Sequence, residues 1–244
     1  EVFFQTNWQT GFLPGDERPW AIPWLGDAIL VYYWKDALEK AGITDPQAAF
    51  ASHESLIETL GKLRGHGFSH PLSITVENAN RVLHEASSWI WNAGVSLMSS
   101  DAKHVTFAEE RAVKGLHNYF SLLPFLNPEA PAATVLDAPS ETDKAVVFLA
   151  GPWHGTIGRH ENPEWSERLG IANLFETAYV GGSSFVTWNH SSRSQESFEL
   201  IRFLSSQPAH IPGSPHAVML PVRRDALHMP SVEEDVFQRT CLRA

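Results

Sequence analysis

The sequence contains two acidic residues, Asp27 and Glu77, whose side chains could act together with nearby tryptophans in catalysis or in binding. Asp27 follows Trp24 closely, and Glu77 stands directly before Asn78 at the predicted start of a helix. Two carboxylates can divide the roles of acid and base, and an indole offers a flat apolar face with one N–H donor. The pattern is compatible with a hydrolytic site that pairs Asp27 with Glu77, or with a binding site for a hydroxylated ring.

The 12 histidines raise the question of a metal site. The nearest pairs are His66 with His70 and His154 with His160, and glycines interrupt both pairs, so neither has a helical context with a third ligand. The sequence also lacks the nucleophile elbow, the zinc helix, the phosphate loop and the dinucleotide fingerprint. We therefore predict no metal, no cofactor and no catalytic residues.

Length and composition limit the class of protein. A chain of 244 residues with 43% hydrophobic and 19% charged residues is typical of a globular protein with room for two lobes. The net charge of -10 argues against nucleic acid or an anionic membrane surface as a partner, because both attract positive patches. Cys241 is the single cysteine, so an internal disulfide and a cysteine framework for zinc are excluded.

Apolar runs and amphipathic helices alternate along the chain and must position those side chains. Residues 29–33 and 145–150 are unbroken apolar runs, which is typical of strands covered on both faces. Pro23 lacks a backbone donor, so residues 22–24 are predicted to be an extended connection outside the middle of a sheet. Strands that alternate with helices predict an α/β fold with a mainly parallel sheet. Helices are predicted over residues 34–41, from Ser52 to Leu63, and over about 78–94 and 108–123.

Apolar stripes indicate the buried sides of the two long predicted helices. Trp89 belongs to the stripe of the first helix and is predicted to be a core residue, whereas Trp91 faces elsewhere and is a ligand candidate. Glu77 and Asn78, at the start of that helix, either reach a ligand or cap the helix. The predicted stripes comprise Ala79, Val82, Leu83, Ala86, Trp89, Ile90 and Ala93 in the first helix, and Ala112, Val113, Leu116, Tyr119, Phe120 and Leu123 in the second.

Short motifs spread along the chain resemble those of one family, the extracellular solute-binding proteins of ABC importers, in the sugar-binding group that includes maltose-binding protein. Trp34 departs from the family pattern, which usually has Asn at that position. The motifs are Tyr32-Tyr33-Trp34-Lys35-Asp36, Lys40-Ala41-Gly42, Gly151-Pro152-Trp153, Gly181-Gly182-Ser183 with a strand over 183–188 and a helix over 194–205, and Leu220-Pro221-Val222-Arg223-Arg224-Asp225-Ala226.

The resemblance implies a periplasmic-binding-protein-like fold of type II, with two lobes of mainly parallel sheets flanked by helices and joined by crossover hinge strands. It also implies that the chain is a fragment without its N-terminal part. The expected division is 1–24 as a remnant of the first lobe and crossover, 25–178 as the C-terminal lobe, 179–215 as a return segment of the first lobe, and 216–244 as a second return to the C-terminal lobe.

The resemblance further implies a function and its partners. The protein would be the substrate-binding component of an ABC transporter, a non-enzyme that captures a carbohydrate by lobe closure and delivers it to permease subunits in the membrane. It would be a bacterial periplasmic or extracellular protein and a monomer when complete, anchored to the membrane if the missing N-terminus carries a lipid-modified cysteine. The alternative is a glycoside hydrolase or other carbohydrate-active enzyme that uses Asp27 and Glu77.

The family's site residues transfer to individual positions of this chain. Trp24 and Trp153 would stack on sugar rings, with a core position as the alternative for Trp153. Asp27 would accept hydrogen bonds from vicinal hydroxyls, or would be a solvated loop or capping residue. The Gly-Gly-Ser segment would let backbone N–H groups approach the ligand, or would only form a hinge turn. Arg223 would lie on a solvated face, with contact to the ligand or the permease as the alternative. The ligand-binding set implied in this way is Trp24, Asp27, Glu77, Asn78, Trp91, Trp153, Gly181, Gly182, Ser183 and Arg223.

Overall fold

A computed structural model describes residues 2–74, 79–128, 145–152, 165–175, 178–209 and 219–229. The chain divides into two units by its internal contacts. The first unit comprises Glu1–Ala28 and Val180–Leu242, and the second comprises Ile29–Tyr179 with Arg243–Ala244. The chain therefore enters the second unit after Ala28 and leaves it after Tyr179.

Both helices and strands occur along the described residues. The helices are α1 (Gln5–Gln9), α2 (Lys35–Lys40), α3 (Pro46–Phe50), α4 (His53–Gly65), α5 (Ala79–Asn92), α6 (Glu110–Phe120), α7 (Trp165–Arg168) and α8 (Ser194–Leu204). The strands are β1 (Ile22–Ala28), β2 (Leu30–Trp34), β3 (Leu72–Ser73), β4 (Val147–Ala150), β5 (Leu169–Asn173), β6 (Val180–Phe185) and β7 (Leu220–Pro221). Short 3-10 turns cover Leu123–Phe125, Gln207–Ala209 and Arg224–His228.

The first unit contains a 3-stranded sheet in the order β6-β1-β7, and both outer strands run antiparallel to β1. Residues 22–24 belong to β1, so the prediction of a connection is wrong. The described pairs of β7 involve only Leu25 and Gly26, so Ile22 and Pro23 are paired with β6 on one side only. Pro23 lies opposite Ser184, and the register of the pairing shifts between Pro23 and Leu25. An irregularity of this kind accommodates a proline in a paired strand, since the ladder is already interrupted there.

Gly182 lies within β6 and not in a turn, so the predicted hinge turn at 181–183 is wrong. The register pairs Gly182 with Gly26 and Ser183 with Leu25. Gly182 has a φ of 145°, and a Cβ on it would lie 2.0 Å from the Leu25 carbonyl oxygen. Only glycine permits this backbone approach of β6 to β1. The predicted strand over 183–188 accordingly begins earlier and ends at Phe185.

The segment after the first unit's α8 contributes a short strand to the sheet of that unit. Leu220–Pro221 pairs with Gly26 and Leu25 of β1. The return of 216–244 to the other lobe stays a prediction, because most of that segment lies outside the described residues. A backbone bridge between Phe3 and Arg223 adds a second connection to the same unit. The Leu-Pro motif indicates a short apolar strand, but its partner strand is set by contacts distant in sequence.

The second unit contains a 4-stranded sheet in the order β3-β4-β2-β5. The α/β class is confirmed, but the prediction of mainly parallel sheets is wrong for the described strands: β2 is antiparallel to both β4 and β5, and only the β3–β4 pair is parallel. All residues of β2 and β4 are buried. An unbroken apolar run therefore indicated burial on both faces correctly, but carried no information on strand direction.

Helix α5 packs closely against α6 in the second unit. Gly115 makes this possible, because a Cβ on it would lie 2.6 Å from the Trp89 carbonyl oxygen. Next to this crossing the buried Glu85 carboxylate accepts a hydrogen bond from the Tyr119 hydroxyl at 3.1 Å, and burial is the main cause that raises the pKa of Tyr119. A buried carboxylate requires such a donor, so the pair couples the two helices.

The predicted stripes of α5 and α6 are only partly buried. The side of α6 that is buried consists of small residues and one aromatic, Ala112, Gly115 and Tyr119. Because the two helices cross closely, only a narrow row of side chains is buried between them. Apolar residues beside that row remain exposed to solvent. The predicted core residues that are exposed are Ala79, Leu83, Val113, Phe120 and Leu123.

His53 lies in a half-buried polar position at the start of α4. The Trp89 Nε1–H donates to its Nδ1 at 3.3 Å, and the Ser121 hydroxyl lies 3.4 Å from its Nε2. Nδ1 is therefore an acceptor, which requires the neutral imidazole. Burial lowers the pKa of His53 below its ordinary value of 6.5, and the neighbouring Glu54 opposes this effect only in part.

We predict that the free energy of unfolding decreases as the pH falls below about 6.5, in part because of His53. The unfolded chain binds a proton at His53 in that range, whereas the folded chain binds it only at lower pH. A His53→Gln variant keeps an acceptor for Trp89 without a titrating group. Urea denaturation between pH 5 and 7 should give a flatter pH dependence for this variant than for the parent; parallel curves would contradict the assignment.

Candidate functional site

Strand β1 carries two of the predicted ligand-binding residues, Trp24 and Asp27. Asp27 is only 8% exposed and lies opposite Gly181 of β6. The Asn7 side chain on α1 donates from Nδ2 to the Gly181 carbonyl at 3.2 Å, which fixes the strand facing Asp27. Asp27 is therefore a buried carboxylate on β1, and the neighbouring strand β6 is fixed by a hydrogen bond from α1.

Trp24 lies at the irregularity of β1, between Pro23 and Leu25. It is half-buried, and its ring lies 4.5 Å from the Phe185 ring at an interplanar angle of 31°. Phe185 thus covers part of the indole and fixes its orientation. The remaining exposed part is what a ligand could contact.

The Gly-Gly-Ser residues have different surroundings on β6. The close approach of Gly182 is to the Leu25 backbone, which accounts for glycine there without a ligand. Ser183 is exposed and can therefore reach a ligand. Gly181 is held between Asp27 and Asn7.

Arg223 is bound within the first unit. Its side chain is only 14% exposed, so the prediction of a solvated position is wrong. Its Nε and Nη2 donate to the Asp225 carboxylate at 2.9 and 2.6 Å, its Nη1 donates to the Ser205 carbonyl at 2.8 Å, and its guanidinium lies 5.7 Å from the Phe3 ring centre. These contacts give Arg223 a structural role in linking three segments of the unit.

Trp91 is the ligand candidate of the second unit that the structure describes. It is half-buried and packs against a buried cluster that includes Ile90, Val95 and Ala112. Its ring lies nearly parallel to the Tyr179 ring, with 5.5 Å between centroids. Glu77, Asn78 and Trp153 lie outside the described residues. Before Trp153, the Gly151 carbonyl accepts a hydrogen bond from the buried Tyr32 hydroxyl at 3.0 Å.

Sequence reasoning missed two residues near Trp91: Tyr179, which stacks on Trp91, and His84, which stacks on Tyr179. The imidazole of His84 stacks on the Tyr179 ring with 4.2 Å between centroids and 10° between planes. Residues 84 and 91 are seven apart on α5, a spacing that puts two side chains on one helix face. That spacing was available from the sequence, but the contact of both residues with Tyr179 was not.

The structure offers no alternative metal centre in its described part. No group of three or more His, Cys, Asp or Glu side chains is arranged to hold a metal ion among residues 2–74, 79–128 and the later described ranges. Among the described helices, none combines the length and the apolar character that a membrane span requires.

Comparisons with known proteins give relatives of one kind, although no family model matches the chain. A probable amino-acid ABC transporter periplasmic-binding protein of Sinorhizobium fredii (strain NBRC 101917 / NGR234) is 27% identical over 197 residues, or 76% of this chain and 43% of that protein. The maltose-bound MalE3 of T. maritima aligns with 100% of this chain and 65% of its own, at 20% identity and a TM-score of 0.76.

Two further solved structures have the same architecture. MalE from Xanthomonas citri aligns with 98% of this chain at 21% identity and a TM-score of 0.74, and covers 61% of its own chain. A solute-binding protein from Thermotoga lettingae TMO bound with alpha-D-tagatose aligns with 98% at 18% identity and a TM-score of 0.73, and covers 63% of its own. The chain thus spans less than two thirds of these relatives. Their shared architecture, extending over nearly all of this sequence, identifies the fold of the chain as that of the type II periplasmic-binding proteins.

Proposed function

We propose that the full-length protein carrying this sequence is the solute-binding component of an ABC importer, and that it captures a carbohydrate by closure of two lobes. The observation that carries the proposal is the alignment of 98% to 100% of the chain with solved sugar-bound proteins, one with maltose and one with tagatose. On this proposal the protein is periplasmic or extracellular, acts as a monomer and delivers its ligand to membrane permease subunits.

The chemistry of β1 supports a carbohydrate as the ligand. Trp24 offers a partly exposed indole whose orientation Phe185 fixes, and such a face suits the C–H surface of a sugar ring. Asp27 lies three residues further along the same strand and can accept hydrogen bonds from two neighbouring hydroxyls. An apolar face and a polar rim are the combination that a neutral sugar requires.

The hydrolase alternative has less support. A glycosidase needs a second carboxylate at a defined distance from Asp27, and the candidate for it, Glu77, lies outside the described residues. One solved relative is described as bound with maltose, and another as a solute-binding protein bound with alpha-D-tagatose. We therefore propose that Asp27 binds its sugar and does not cleave it.

An amino acid is the second ligand class to be tested, because the Sinorhizobium relative is named for amino-acid transport. Thermal unfolding of the full-length protein with maltose, maltotriose, tagatose, ribitol and the common amino acids separates the classes. A bound ligand at about 100 times its Kd stabilises the folded state by about 2.7 kcal/mol. We expect stabilisation by one or more sugars; stabilisation by amino acids alone would contradict the proposal.

We predict that Asp27→Asn weakens sugar binding by roughly 10- to 150-fold, because hydrogen bonds to a charged acceptor contribute about 1.5–3 kcal/mol. Calorimetric titration of the full-length protein measures the change. Asp16→Asn is the control, since Asp16 binds Arg18 and Trp20 in the same unit. Equal affinity of Asp27→Asn and the parent would show that Asp27 does not contact the sugar.

A further inference from the structure

Tyr179 lies between two rings of α5. Its ring is nearly parallel to those of His84 and Trp91, at centroid distances of 4.2 and 5.5 Å. Its backbone N–H donates to the hydroxyl of Ser88, which stands between those two residues on the helix, at 2.9 Å. Residues seven apart on a helix are separated by about 10 Å along its axis, which is enough for one ring between them. His84, Tyr179 and Trp91 therefore form a stack, called here the aromatic column.

The aromatic column is held in place at several points. The Tyr179 carbonyl accepts the Ile29 N–H at 3.1 Å, so both backbone groups of Tyr179 are bonded inside the second unit. Trp91 packs on the buried cluster of Ile90 and Val95 at the other end. A rigid set of rings loses little conformational entropy on binding, which favours recognition of a ligand.

His84 is the end of the aromatic column that points towards the start of α5. Tyr179 covers one face of the imidazole, and the residue is half-buried, so part of its side chain is open to solvent. Arg81 and Asn80 precede it by three and four residues, and these positions are neighbours on a helix face. Burial, and then the charge of Arg81, lower the pKa of His84, which keeps the ring neutral near pH 7.

We propose that His84 is a ligand-binding residue of the second unit, whose imidazole stacks on the C–H face of a pyranose ring while Arg81 and Asn80 hydrogen-bond to hydroxyls at the edge of that ring. The inference rests on the proposed function and narrows the ligand to a cyclic sugar. The flat imidazole of His84 favours a ligand with a ring face over a ligand without one. An extended polyol or a free amino acid presents no such C–H face.

The test compares variants of the full-length protein by calorimetric titration with maltose, maltotriose and ribitol. We expect the parent to bind at least one of the two pyranose sugars more tightly than ribitol. His84→Ala and His84→Gln should each weaken that binding by about tenfold or more, as loss of a buried anchor does. His84→Phe keeps a flat ring and should stay within about threefold of the parent by the same measure. Leu83→Ala is the control, because Leu83 is the exposed neighbour on α5.

The outcomes separate this inference from the proposed function. A parent that binds a pyranose sugar while His84→Ala and His84→Gln bind it equally well would overturn the role of His84 alone. A parent that binds only ribitol would leave a solute-binding protein but overturn the cyclic ligand. Loss of binding in His84→Phe as large as in His84→Ala would overturn stacking. A parent that binds neither maltose nor maltotriose would overturn the inference, whereas the sugar assignment itself is decided by the thermal unfolding with the full set of sugars and amino acids. Thermal unfolding without ligand identifies any variant that is misfolded, and the remaining substitutions then decide.

Discussion

Trp89→Ala should reduce the free energy of unfolding by roughly 3–5 kcal/mol, as truncation of a buried tryptophan does. Trp89 is only 2% exposed, and its ring contacts those of Tyr119 and Phe175 at 5.2 and 5.0 Å between centroids. The substitution leaves a cavity where α5 meets α6, and it also removes the N–H that binds His53. Urea denaturation of the full-length protein measures the effect.

Trp188→Ala is the matched control for this prediction. Trp188 is 72% exposed, so its loss should change the free energy of unfolding by no more than about 0.5 kcal/mol, as at other surface positions. A similar loss for both tryptophans would contradict the assignment of Trp89 to the core. Sugar binding by Trp89→Ala, measured where the variant is folded, should remain close to that of the parent.

Gly182→Ala should cost roughly 2–5 kcal/mol, since strained backbone conformations and overpacking each cost about 1–3 kcal/mol. The new Cβ would lie 2.0 Å from the Leu25 carbonyl oxygen, and this backbone atom can move only if β6 separates from β1. Separation would also displace Gly181 from Asp27. We therefore expect weaker sugar binding together with faster hydrogen exchange of the amides in β1.

Gly61→Ala is the control for the glycine prediction. Gly61 lies within α4, and a Cβ on it would meet nothing within 4 Å. Alanine is favoured over glycine in a helix by about 1 kcal/mol, so this variant should be more stable than the parent. Equal stability of Gly182→Ala and the parent would show that β6 does not approach β1 as closely as described.

Local patterns in the sequence predicted much of the second unit. The apolar runs at 29–33 and 145–150 correspond to β2 and β4, because burial on both faces demands apolar side chains at every position. Ser52 caps α4 as predicted, and its hydroxyl accepts the Ser55 N–H at 3.1 Å. Gly42 ends the region of α2 with a φ of 72°, as a left-handed cap requires.

The errors arise where distant contacts overrule a local rule. Pro23 is unfavourable within a sheet by itself, yet the register shift of β1 against β6 accommodates it. Gly182 has the composition of a turn, and only its contact with Leu25 explains why glycine is required in a strand. Strand direction in the second unit depends in the same way on which segments meet after long connections.

Of the candidate site, the sequence led to the two residues on β1 and to Trp91, but not to His84 or Tyr179. The resemblance led to Trp24 and Asp27, and the structure gives both a defined position on β1. His84 and Tyr179 could not be paired from sequence, because a histidine on a helix and a tyrosine before a glycine-rich strand carry no signal of contact. The helical spacing of His84 and Trp91 indicated one common face, but not the ring that lies between them.

The most direct test of the central claim is to follow a labelled maltooligosaccharide through binding and release by the full-length protein. We predict saturable binding of one sugar per protein, and recovery of the whole label at its original chain length when the protein is denatured and the sugar is chromatographed. Shorter products above a protein-free control, absent in Asp27→Asn, would contradict the claim and identify a hydrolase.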